Sequence, residues 1–151
     1  MENARQIRED GGIVIDGKPV SGPNAIAGEW GHNALPWPES TEIPGPECYC
    51  GKTGCIETWL SGPSLEQQAT SDSLSGLSAL EIAKASRSGQ EEAQALIERY
   101  ADRLARALAG VINILDPNVI VLGGGLSGID QLYTLVPEKW GAHVFSDTVV
   151  T

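Results

Sequence analysis

Apolar side chains recur at steps of three and four through "EEAQALIERYADRLARALAGVINILDP", at Ala93, Leu96, Ile97, Tyr100, Leu104, Leu108, Val111, Ile112 and Leu115. That spacing puts one apolar stripe on an α-helix. Glu91 and Glu92 suit its N-terminal end, and Pro117 stops it. A shorter helix is predicted upstream in "SALEIAKASRSG", ended by Gly89. Downstream, four apolar residues from Val119 to Leu122 precede three glycines and another helix. A short, wholly apolar run after a long helix predicts a buried parallel strand. Near the front, "GGIVIDGKPV" predicts a hairpin with Gly17 supplying positive φ, its second arm confined to an edge by Pro19.

Between these patterned stretches the text changes character. From Ser21 to about Pro63 it reads as loop, with Gly, Pro, Asn and Ser at close intervals. Loops of that length need a function or a reason to be ordered. Trp30, Trp37 and Trp59 lie inside it and argue against disorder. The sum is an α/β pattern, or an α+β lobe of an α/β protein, with no internal repeat.

Composition narrows the class. With 151 residues, 41% of them hydrophobic, the chain suffices for one domain or one lobe of a larger one. No run approaches a membrane span, and "MENARQIRED" is too polar for a secretory signal, so a cytoplasmic location without a membrane partner is expected. Twenty acidic against ten basic side chains give a net charge of -10, which argues against a nucleic-acid partner.

All three cysteines stand close together, near one of only two histidines. His32, Cys48, Cys50 and Cys55 make a Cys3His set suited to a closed tetrahedral zinc (Zn2+) site. Gly51 and Gly54 let the backbone turn sharply enough for the sulfurs to converge. Zinc would also order the long loop; the alternative is free thiols beside an unrelated histidine. The spacing lacks the paired CxxC units of a zinc finger, so a metal here would be scaffolding. His143 reads as a surface or core histidine on a helical stretch. Glu29 and Glu57 flank the cluster, either as acceptors for ligand hydroxyls or as solvated loop acids. In "VIVLGGGLS", Gly123, Gly124 and Gly125 offer bare amides at a helix start, as a nucleotide turn or simply a tight connection.

Taken in order, "AGEWGH", "CYCGKTGCIE" and "NILDPNVIVLGGGLS" closely resemble the ROK family of bacterial sugar kinases and related repressors. The Trp30 variant and the insert before Cys48 look like its mannofructokinase-type fructokinases. The resemblance runs from Gly12 to about Phe145. It implies one lobe, residues 1–151, of the actin-like, ribonuclease-H-like ATPase fold. Within it, 21–63 would be the zinc and sugar loop and 79–145 the helical and nucleotide-turn region. His32, Cys48, Cys50 and Cys55 fall on zinc ligands of the family. Glu29, His32 and Glu57 fall on residues contacting sugar hydroxyls, and Gly123, Gly124 and Gly125 on the adenosine motif. Members phosphorylate a hexose with ATP and Mg2+, using an aspartate base.

The chain resembles only the C-terminal half of such a kinase. No aspartate matches the base, and "QIRED" stands where a second phosphate loop would sit. The 151-residue chain is therefore expected to be inactive alone. Self-association, as a homodimer for instance, is expected through an apolar face. A sugar-sensing repressor of the same family and a zinc-stabilised interaction module are the alternative readings.

Overall fold

The structure is a computed structural model that describes residues 11–151. The expected second phosphate-loop position, residues 6–10, lies outside the described residues. Helices dominate. α1 (Ile56–Leu60) and α2 (Gly62–Gln67) precede α3 (Ala79–Arg87), α4 (Glu91–Leu115) and α5 (Leu132–Trp140).

α4 is the axis of the molecule, packed mainly against α5 and α3. Its expected stripe is buried from Ala93 to Leu108 and again at Ile112. The last turn departs from expectation: Val111 is half-buried, while Leu115 is exposed. Asp116 ends the helix in the left-handed conformation at φ 43°, one residue before Pro117. α3 begins with a reciprocal cap between Ser78 and Glu81, and Gly89 follows it at φ 90°. The Tyr100 hydroxyl donates to the Leu60 carbonyl at 2.8 Å, joining α4 to α1.

The hairpin forms as expected, from β1 (Val14–Ile15) and β2 (Lys18–Pro19), with Val14 opposite Pro19. Its turn needs positive φ at two residues, Asp16 at 51° and Gly17 at 72°, where the sequence reading required only Gly17. Two further expectations change. Residues 119–122 carry no ladder, because no strand lies beside them among the described residues. Val119 and Val121 are exposed, while Ile120 and Leu122 lean on the core, so the run alternates instead of being buried on both faces. Second, the loop region ends at Cys55 and not near Pro63. α1 and α2 are too short for periodicity to reveal, yet Ile56, Trp59, Leu60 and Leu65 are all buried. No helix of the described residues is long and apolar enough to cross a membrane.

Candidate metal centre and adjoining carboxylates

Short backbone pairings shape the site. Leu35 donates to the Gly54 carbonyl at 3.0 Å, Ile56 to Asn33 at 2.9 Å, and Glu57 to Gly31 at 2.9 Å. The segment carrying His32 therefore runs antiparallel to the one leading into α1. A second turn brings the remaining thiols back: Cys48 N–H donates to Lys52 at 2.8 Å, and Gly51 N–H to Cys48 at 2.9 Å. Two glycines permit the crossing beneath it. A Cβ on Gly45, at φ 79°, would sit 2.6 Å from the Cα of Gly54. Gly45→Ala should cost stability and lower metal content together, checked by urea unfolding and by zinc per chain. Unchanged values would show that the crossing is loose.

His32, Cys48, Cys50 and Cys55 converge, with one ligand atom from each lying within 4.8 Å of the others. Cys50 and Cys55 sulfurs are 3.7 Å apart, and Cys48 Sγ is 3.4 Å from His32 Nδ1. Zinc–sulfur bonds of about 2.3 Å imply tetrahedral edges of about 3.8 Å between sulfurs, and slightly less to nitrogen. The donor set and both separations fit such an ion. Burial, with the Cys50 and Cys48 thiols beside it, pushes Cys55 up to about 12. The Cys50 thiol is held below its ordinary range, chiefly by the Lys52 backbone N–H. Three thiols this close cannot all ionise unless a cation offsets the charge.

The other imidazole nitrogen faces the carboxylate. His32 Nε2 lies 3.5 Å from Glu57 Oε2 and 2.7 Å from the Tyr49 hydroxyl. The Glu57 side chain is 14% exposed, in place on the first turn of α1. Glu29 is half-buried, and its N–H closes a turn onto Ile26 at 3.0 Å. Gly28 beside it, at φ 90°, lies against the Gly11 backbone so closely that a Cβ would meet the Gly11 oxygen at 2.7 Å.

The glycine turn differs from expectation. Gly123, Gly124 and Gly125 are exposed, and a 3-10 turn over Gly125–Gly128 follows them, with α5 starting only at Leu132. Their amides therefore do not open an α-helix. The Ser127 hydroxyl donates to the Gly124 carbonyl at 2.7 Å, and the Tyr133 hydroxyl to Ser127 at 2.9 Å, so the turn is bonded from one side. His143 lies beyond α5, its ring stacked on Trp37 at 5.1 Å.

Sequence reasoning missed the polar group that anchors the loop to the helices. Glu42 accepts from Arg103 Nε at 2.6 Å and from both terminal nitrogens of Arg106 at 2.9 Å. Arg106 also donates to the Trp37 carbonyl at 2.9 Å and, through Nε, to Asp102 at 2.9 Å. Arg103 lies over the Trp59 ring at 4.4 Å and donates to Gln68. In the structure seven successive residues, 103–109, are buried, and a helix turn buried all round must pair its arginines; no local sequence pattern points to Glu42 as their partner.

The chain belongs to the ROK family, whose profile matches residues 10–151. An N-acetyl-D-glucosamine kinase of Pectobacterium carotovorum subsp. carotovorum (strain PC1) is 40% identical over 133 residues, which is 85% of this chain and 44% of that protein. A ROK family glucokinase from Streptomyces griseus, solved in complex with glucose and AMPPNP, matches with a TM-score of 0.75 at 25% identity. That match covers 89% of this chain and 47% of the glucokinase chain. A ROK family transcriptional regulator homologous to the E. coli MLC protein matches with a TM-score of 0.73 at 26% identity, over 89% of this chain and 35% of its own. The chain thus spans less than half the length of these proteins. It is sugar-kinase-like in sequence, and its fold matches part of the fold of its kinase neighbour.

Proposed function

We propose that the chain is the sugar-facing C-terminal half of an ATP-dependent hexose kinase. The observation that carries this reading is His32 set between the thiol cluster and Glu57. Nδ1 faces Cys48 while Nε2 faces the carboxylate. Cys48, Cys50, Cys55 and His32 would hold one zinc ion, which fixes the imidazole and orders the loop. With Nδ1 turned to the metal, Nε2 stays available to a sugar hydroxyl, and Glu57 accepts a hydroxyl proton beside it. Glu29 would extend the same row of acceptors from the Gly28 turn. The exposed amides of Gly123, Gly124 and Gly125 would meet the adenosine end of ATP, whose phosphates carry Mg2+. No aspartate of the chain is assigned as the base. The exposed Ile114, Val119, Val121 and Phe145 favour the expected self-association.

The names of the relatives move the sugar from fructose, which the Trp30 variant and the insert suggested, toward an aldohexose. N-acetyl-D-glucosamine is therefore the first substrate to test, with glucose and fructose beside it. The regulator neighbour keeps the repressor reading in view, since one fold hosts both functions. The kinase is preferred because the 40% identical relative is one.

Calorimetric titration of the zinc-loaded chain should show hexose binding that Glu57→Gln weakens about 10-fold or more, as loss of a hydrogen bond to a charged acceptor does. Equal binding by both proteins would remove Glu57 from the site.

A further inference from the structure

Tyr49 stands between two cysteines of the cluster, so the turn from Cys48 to Gly51 fixes its backbone. Its side chain is another matter, because the residue is 57% exposed. The hydroxyl lies 2.7 Å from His32 Nε2, and the phenol ring meets the imidazole edge-on, with centroids 4.9 Å apart at 84°. Since Nδ1 of the same ring points at Cys48, Nε2 is the nitrogen left for a ligand.

A phenol hydroxyl thus occupies the place where a sugar hydroxyl would bond. Both are neutral O–H groups that donate and accept, so they compete for one nitrogen. Displacement costs little burial, because the residue is already largely exposed, and the cysteines hold the backbone in place.

We infer that Tyr49 is a displaceable latch on the hexose site, released when a sugar hydroxyl takes over His32 Nε2. This rests on the proposed roles of His32 and Glu57 in sugar binding. The latch sets affinity: each binding event gives up the phenol bond before it gains the sugar bond. Removing only the Tyr49 hydroxyl should then tighten hexose binding, by about 2- to 10-fold for one neutral hydrogen bond.

The test uses the whole zinc-loaded chain labelled with 15N-histidine, in wild-type, Tyr49→Phe and Glu57→Gln forms, with zinc per chain measured for each. Without sugar, Tyr49→Phe should move the His32 Nε2 resonance; an unmoved resonance overturns the latch whatever the sugars do. Titration with N-acetyl-D-glucosamine and glucose should show Tyr49→Phe binding tighter than wild type and Glu57→Gln binding weaker. Equal or weaker binding by Tyr49→Phe, with Glu57→Gln impaired, overturns the latch and leaves the sugar site standing. No binding by wild type or by Tyr49→Phe overturns the sugar-site reading, and the latch with it.

Discussion

Glu42→Ala will lower the unfolding free energy by about 3–5 kcal/mol, the usual consequence of removing one partner from a buried ion pair. The Glu42 and Arg106 side chains are each 4% exposed, and Arg103 is 11% exposed. Without the carboxylate, two guanidiniums remain in a site with little access to water. Asp102 and the Trp37 carbonyl would still bond Arg106, but among the described residues Arg103 would keep Gln68 and the Trp59 ring alone. Small domains are stable by about 5–15 kcal/mol in total, so the loss would bring this one near its unfolding threshold. Urea denaturation followed by tryptophan fluorescence measures it. A change below about 1 kcal/mol would mean that solvent reaches the arginines.

The same group fixes an acid limb. Burial raises the Glu42 carboxyl, but hydrogen bonds from Arg106 and Arg103 outweigh it and hold the group at about 2. A depressed carboxylate stabilises the fold above its unfolded pKa, here about 4.5, and loses that contribution as the pH falls toward 2. The window is therefore about pH 5 to 2, and the amount is about 3 kcal/mol. Glu42→Gln should have a flatter stability profile across that window than wild type.

What the sequence disclosed depended on range. α3 and α4 were legible because their periodicity is local and long, and the thiol cluster because ligand chemistry tolerates uncertain geometry. The run 119–122 misled because four apolar residues describe a strand without saying whether partners lie beside it. Glu42 was invisible for another reason. It sits in a single 3-10 turn, Ser40–Glu42, 61 residues from Arg103 and 64 from Arg106. No local pattern links such distant charges, and only burial of α4 on all sides hints that its arginines need partners. Tyr49 is unreadable in the same way, since cysteine spacing does not say where the phenol between them points.

Removing zinc will free the loop while leaving most of the helices in place. Elemental analysis should find about one zinc per chain, absent from Cys55→Ser. Metal binding by small zinc domains is worth about 10–16 kcal/mol in apparent terms, and there it drives the whole fold. Here the helices have a core of their own, with Leu65, Ile82, Leu96, Ile97 and Leu132 fully buried away from the ligands. The metal's contribution should therefore concentrate on residues around 44–55, where the order rests on short backbone bonds and the crossing of Gly45 with Gly54. Lys52 gives a direct readout, because no other lysine or arginine lies between Lys18 and Lys84. Trypsin should cut the zinc-loaded chain slowly at Lys52 and the chelated chain quickly, with little change in far-UV ellipticity. Fast cleavage with zinc bound would mean that the cluster does not order the loop. Collapse of the helical signal on chelation would mean instead that α1, which begins at the residue after Cys55, carries the metal's contribution into the core.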